Sequence, residues 1–371
     1  MKLRWQFGLI AGLFLALFSL YPQLKMIYLR GAEWNGHYAY NDIDEVAYAA
    51  YLKALIDGRP RRNDPYTGRD HAPDAPQPES LFSIQFAGPY TIAIPARVLG
   101  IGAPWAMTIS GAIAAFLTAL AIFWLIGMLT RDSVFAMAGS LTVLAGGALF
   151  AGEGAIGEIT GWSYAYPYFP GFRRYVPAMA FPAFFLLVAL VWRYIASGDR
   201  KEAEGTGQYR ILDSRVLLAV FAAAAFGYTV FSYFYVWTTA AAWLACLFIC
   251  LAVARPDGAW KDLKWLAALG GMCVALLLPY AYLLANRSHT MDDVQMLVLT
   301  RAPDLMRPPE LISFVVIIAL VVGVALKLFS LKERSTLFAA SLALTPIAVF
   351  NQQILTGQSL QPIHYQVFIG N

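Results

Sequence analysis

Asp42, Asp44 and Glu45 cluster three carboxylates in the stretch Asn41-Asp42-Ile43-Asp44-Glu45. Such a group can take a proton from an acceptor hydroxyl as a general base. It can also hold a divalent cation over a phosphate, with Asp42 and Asp44 as the ligands. The same residues suit a helix start: Asp42 as N-cap and Glu45 three residues later resemble a capping box, and acidic groups near a helix N-terminus favour the macrodipole. Asp44 is neither the cap nor its reciprocal partner, so capping explains it least. Tyr48 follows one turn later and shares its face. Its ring can orient the carboxylate, stack on a sugar, or anchor in lipid headgroups.

These residues open a predicted helix over 41–58. Its apolar positions are 43, 46, 47, 50, 54 and 55, with Gly58 as the C′ residue. That pattern predicts an amphipathic helix lying flat on a membrane surface. Behind it, residues 59–78 form a Pro-rich, mixed-charge stretch that reads as solvated loop.

A membrane is implied by composition. Hydrophobic residues make up 59% of the 371 and charged residues 13%, with mean hydropathy +0.57, whereas a soluble domain is about 25% charged. Cys246, Cys250 and Cys273 sit in apolar runs and read as packing residues. The net charge of +4 is modest, and no basic run is dense enough for nucleic acid.

Apolar runs predict about nine spans, near 5–24, 104–127, 133–150, 176–196, 215–231, 236–254, 265–285, 311–330 and 335–350. Residues 5–24 lack a small-residue cleavage site and read as a retained helix. Segment 81–100 carries Pro89, Pro95 and Arg97. With that segment not spanning, the short basic loops fall on one side: Lys2 and Arg4, Arg131, the 197–215 loop, Arg255 with Lys261 and Lys264, and Lys327 with Lys332 and Arg334. The positive-inside rule makes that side cytoplasmic, with the N-terminus. Segment 81–100 is then interfacial on the outer face. The outer segments are 25–103, 151–175, 231–236, 286–310 and 351–371; the last ends at Asn371 with no span after it, which predicts a truncated product. No internal repeat divides the chain, so 1–371 reads as a single all-α polytopic module.

Asp44-Glu45-Val46-Ala47-Tyr48-Ala49, just after a first span, resembles the D-E-x-x-Y-A pattern of lipid A aminoarabinose transferases and protein O-mannosyltransferases, members of the GT-C class of membrane glycosyltransferases. The layout of residues 1–350 is similar to theirs, although the soluble C-terminal domain of several such families is missing. The resemblance implies a glycosyltransferase, for a hexose or pentose, in the bacterial inner membrane. Its donor would be a polyprenyl-phosphate-linked sugar, and its acceptor a lipid, glycan or protein on the extracytoplasmic side. Mg or Mn is a possible cofactor.

It further implies an acidic residue where the third span exits, for which Glu158 is the match. Arg173 and Arg174 become candidates for the donor phosphate, since the guanidinium fork fits phosphate oxygens, with headgroup anchoring as the simpler role. Arg301 and Arg307 are similar candidates. Gln353 and His364 lie in a polar tail segment placed outside, and could bind phosphate or sugar. Asn286-Arg287-Ser288-His289 and Asp292-Asp293 could bind acceptor or metal. A transporter or lipid flippase is the alternative. It predicts charged mid-span residues and helices broken in related halves, and the spans show neither. A non-catalytic scaffold is the third reading, and it needs no acidic cluster on outer loops. Cysteines introduced singly within 40–80 should react with a membrane-impermeant maleimide from outside intact cells; protection there with labelling only after lysis would reverse the topology.

Overall fold

In lipid, a backbone has no water to satisfy its amides, so a spanning apolar segment closes its hydrogen bonds as a helix. The computed structural model of the protein describes residues 3–40, 44–150, 172, 174–197, 214–289, 291 and 298–368. The described elements are α1 (Trp5–Arg30), α2 (Asp44–Ile56), α3 (Leu81–Ile84), α4 (Ala87–Leu99), α5 (Ala103–Thr130), α6 (Ser133–Phe150), α7 (Tyr175–Ala178), α8 (Ala180–Ser197), α9 (Arg215–Val230), α10 (Phe234–Ala254), α11 (Ala259–Ala285), β1 (Val298–Leu299), α12 (Pro308–Ala325), α13 (Arg334–Phe350), α14 (Gln353–Thr356), β2 (Gln358–Ser359) and α15 (Pro362–Phe368).

Among the described residues, six helices are long and apolar enough to cross a membrane: Trp5–Glu33, Ala103–Thr130, Tyr175–Ala196, Phe234–Ala254, Ala259–Ala285 and Pro308–Ala325. The protein is thus an all-α, multi-pass integral membrane protein. Shorter apolar helices, Ser133–Gly146, Arg215–Val230 and Arg334–Phe350, occupy the other three predicted positions. Large apolar side chains face outward along α12, among them Ile312, Val315, Ile318 and Val321. That is the surface lipid requires and water penalises.

The chain divides into two compact units. The first comprises Met1–Phe185, Tyr228–Tyr233 and Pro279–Met291; the second comprises Leu186–Gly227, Phe234–Leu278 and Asp292–Asn371.

In the first unit, α1, α5 and α6 pack on one another, and α2 packs on α4 and α5. Gly102 and Pro104 start α5, and Arg131, in the left-handed region at φ 57°, ends it. The buried face of α5 is small-residue rich, with Ala106, Ala114, Ala115 and Ala119. Small residues allow membrane helices to approach closely, where dispersion supplies the attraction. Gly8 and Gly12 of α1 likewise take phenylalanine rings of α5 against their backbone. A Cβ on Gly8 would lie 2.7 Å from the Phe123 ring, and one on Gly12 would lie 2.7 Å from the Phe116 ring.

In the second unit, α13 packs against α10 and α12. Trp243 is fully buried and its Nε1 donates to Ser341 Oγ at 3.2 Å. Phe338 stands edge-on to Trp243 and tilts against Trp192, at 5.9 and 4.8 Å between centroids. Tyr194 stacks on Trp265 at 3.8 Å, and Trp265 Nε1 donates to the Arg215 carbonyl at 3.0 Å.

Replacing Gly8 and Gly12 together by Ala should destabilise the detergent-solubilised protein by about 1–3 kcal/mol through overpacking. Gly270→Ala in α11, where nothing lies within 4 Å of the added carbon, should be neutral or slightly stabilising. Thermal melts of the two variants separate these outcomes.

Candidate functional site

Helix α2 begins at Asp44, so Asp44 and Glu45 form its first turn, where acidic groups interact well with the macrodipole. It closes as a Schellman motif: Arg59 N donates to the Ala54 carbonyl at 2.9 Å and Gly58 N to that of Leu55 at 3.0 Å, with Gly58 at φ 85°. The predicted C-terminus is therefore the observed one.

The predicted apolar face is only partly the buried one. Ala47, Ala54 and Leu55 are buried as expected, whereas Val46 is 53% exposed and Ala50 also faces outward. Glu45 is 1% exposed, and Tyr51 and Leu52 are fully buried. The reason is that α2 packs against both α4 and α5, so its buried arc is set by two neighbours rather than by its own hydropathy.

Burying Glu45 while leaving Asp44 accessible separates two adjacent carboxylates. Burial, and then the charge of Glu45, raises the pKa of the Tyr40 hydroxyl. Asp44 keeps a side chain 52% exposed and accepts a hydrogen bond from Arg174 Nη1 at 3.2 Å, across 130 positions of sequence. The Arg174 side chain is 4% exposed. Its guanidinium lies 5.3 Å over the Tyr48 ring, a cation–π geometry that strengthens when desolvated. Tyr48 is in turn held edge-on by Tyr175 at 5.3 Å and Phe82 at 5.4 Å. The Tyr175 hydroxyl donates to the Tyr48 carbonyl at 3.3 Å. Asp44, Tyr48 and Arg174 thus form one constellation: a buried cation, an aromatic support, and a half-exposed carboxylate.

The remaining candidates are placed differently. Asp42, Arg173 and Glu158 lie outside the described residues, as do Asp292 and Asp293. Arg301, Gln353 and His364 belong to the second unit, where each has a visible structural role. Arg301 Nη1 donates to the carbonyls of Ile354 and Leu355, at 2.8 and 3.3 Å. Gln353 Nε2 donates to the Ala302 carbonyl at 3.1 Å. Both brace the short β1–β2 pairing, Val298 against Ser359 and Leu299 against Gln358. His364 stacks on Tyr235 with centroids 4.6 Å apart. Arg307 pairs with Asp304 and donates to Gln366 Oε1 at 3.3 Å. Among the described residues, no group of three His, Cys, Asp or Glu side chains could hold a metal ion.

The 59–78 stretch is irregular and exposed over 66–70 and 73–76, as a solvated loop would be, but Arg61 pins it. Arg61 forks onto Glu79, with Nη1–Oε2 at 2.8 Å and Nη2–Oε1 at 2.6 Å, and also bonds to the Ser83 carbonyl. Ser83 Oγ donates to Glu79 Oε2 at 2.6 Å, and the Tyr51 hydroxyl donates to the Arg61 carbonyl at 2.9 Å. Glu79 N donates to the Asn286 carbonyl at 3.0 Å, and Ser288 N donates to the Glu79 carbonyl at 2.9 Å. That ties the loop to the segment after α11. Ser80 and Ser83 cap α3 reciprocally, the one local signal that an ordered element begins there. The ion pair itself leaves no sequence signature, since 18 positions of irregular chain separate its partners.

Burial acts to raise the Glu79 pKa, but Arg61, Ser83 and Arg62 outweigh it and the carboxyl lies below its ordinary 4.5. A lowered folded pKa makes its contribution complete above the unfolded value and lost as the pH falls through the folded one. Glu79→Gln should therefore cost about 1–3 kcal/mol at neutral pH, the Arg61 end being partly solvated. The gap to wild type should shrink below about pH 4.5; melting curves from pH 3 to 7 measure it, and a pH-independent gap would remove the ion pair as the cause.

Comparison of the chain with protein-family models, with curated proteins and with solved structures finds no match in any of the three.

Proposed function

We propose that the protein is a GT-C-like membrane glycosyltransferase, with Asp44 and Arg174 at its reaction centre. The observation that carries this reading is the Asp44–Arg174 pair on Tyr48, because it joins an accessible carboxylate to a desolvated guanidinium beside membrane-spanning helices. In the reading, Asp44 takes the proton of an acceptor hydroxyl as that oxygen bonds to the anomeric carbon of the donor sugar. The bond from that carbon to the phosphate oxygen breaks with inversion, and polyprenyl phosphate leaves with the electron pair. Arg174 stabilises the leaving charge, which is usually the largest single contribution to such a step. Glu45, and Asp42, Glu158 and Arg173 outside the described residues, remain candidates. A divalent cation, Mg or Mn, held by Asp44 with Asp42 is the other use of the carboxylate, and inhibition by EDTA distinguishes it from a base.

The topology belongs to the same proposal. About nine spans, a cytoplasmic N-terminus and a bacterial inner membrane place 25–103 outside, where lipid-linked donors replace nucleotide sugars. Two features support an interfacial 81–100. Its helices are α3 and α4, and the 13 residues of α4 reach about 20 Å, short of the roughly 30 Å hydrocarbon core. Near its end the apolar side chains of Ile94, Val98 and Leu99 are exposed beside the exposed Arg97, a mixture that suits an interface.

The test is sugar transfer by the full chain in nanodiscs containing a polyprenyl-phosphate sugar. Asp44→Asn should lose at least about 100-fold of the rate at unchanged expression, and Arg174→Gln a comparable factor. Full activity of Asp44→Asn would remove it from the mechanism.

A further inference from the structure

Residues 255–258 link α10 to α11, two of the membrane-crossing helices. The turn needs unusual backbone: Arg255 has φ 47° and Gly258 has φ 75°. One side chain pins it. Arg334 Nη2 donates to the Asp257 carbonyl at 2.6 Å, and Arg334 Nε donates to the buried Asp262 carboxylate at 3.0 Å. A Cβ on Gly258 would lie 3.0 Å from Arg334 Nη2, so the turn is held in one shape by a close guanidinium.

Beside this turn is a groove of about 770 Å³, a size that suits a small-molecule ligand. Phe248 and Leu263 line it with apolar surface, and Arg255, Trp260, Lys264 and Asp257 line its polar part. Trp260 is 69% exposed, with Lys264 Nζ 5.4 Å over its ring. Lys261 is exposed next to them. The groove is lined by two cations, Arg255 and Lys264, and one carboxylate, Asp257; Arg255 Nε donates to the Ala252 carbonyl at 3.3 Å, and the Arg334 charge is met by Asp262. The turn joins the ends of two spans, the level where Trp and basic residues meet headgroups.

We propose that this groove binds one anionic phospholipid, its phosphate between Arg255 and Lys264 and its acyl chain along Phe248 and Leu263. Both halves of such a molecule find a match: basic side chains for the phosphate and apolar surface for the chain, beside a turn whose backbone Arg334 already pins. A zwitterionic lipid lacks the net charge the rim selects, and free phosphate has nothing to fill the apolar part. The site does not depend on sugar transfer.

The experiment uses the full chain in phosphatidylcholine nanodiscs doped with brominated phosphatidylglycerol or brominated phosphatidylcholine. The Trp260 signal is the difference between wild type and Trp260→Phe. Brominated phosphatidylglycerol should quench it at a doping level where brominated phosphatidylcholine does not. The double variant Arg255→Gln, Lys264→Gln should lose the preference, the two charges together being worth roughly 30-fold in affinity. Equal quenching by both lipids, or a preference unchanged in the double variant, overturns the proposal. Native mass spectrometry of wild type needs no variant. Phosphatidylglycerol retained over phosphatidylcholine supports the site. Equal retention, inorganic phosphate alone displacing the bound lipid, or a dimer retaining none overturns it.

Discussion

A polar group buried among apolar helices has no water to fall back on, and that constraint organises both units of this protein. Hydroxyls on the packed helices return to their own backbone: Thr118 Oγ1 donates to the Ala114 carbonyl at 2.6 Å, Ser140 Oγ to Ala136 at 2.9 Å and Thr345 Oγ1 to Ser341 at 2.8 Å. The Trp243 indole finds Ser341, and the Trp265 indole finds a carbonyl. Glu310, fully buried in the first turn of α12, is met by Asn351 Nδ2 at 2.7 Å, and the same amide spans to the carbonyls of Asp304 and Ile347. Beside these polar contacts, small residues set helix separation, as Gly8 and Gly12 do against α5.

Charges obey the same rule with larger consequences. Arg61 with Glu79, and Arg334 with Asp262, are each partnered pairs with a buried carboxylate, side chain 6% exposed in both cases. Both pairs also seize backbone carbonyls, so their work is to hold loops. Desolvating an ion pair offsets most of its attraction, and such pairs define shape more than they add stability. Arg174 with Asp44 reverses the pattern, because there the cation is buried and the carboxylate is open. A half-exposed carboxylate beside a buried cation can be reached from solvent, whereas a buried carboxylate within a fork cannot. That asymmetry distinguishes a candidate site from a brace.

The braces also explain why polar residues in the connecting segments read ambiguously. Arg301 and Gln353 have the chemistry to bind phosphate or sugar, yet their donors go to main-chain carbonyls across a two-residue β pairing. A donor on a short loop between helices is wanted first by the unpaired carbonyls around it, and sequence alone cannot distinguish that demand from a ligand's.

What the sequence determined by itself was whatever depends on neighbours along the chain. Runs of apolar residues longer than about 18 specify helices in lipid, the Gly58 cap follows from its left-handed backbone, and a helix beginning with acidic residues follows from the macrodipole. The tertiary structure decided which face of α2 is inward, because two packing partners, α4 and α5, outweigh its own weak periodicity and turn Glu45 in and Val46 out. It also decided that Arg61 in the 59–78 loop pairs with Glu79, and it brought Arg174 to Asp44 across 130 positions. Contacts of that range are chosen by where whole helices pack, and no local spacing of residues encodes them.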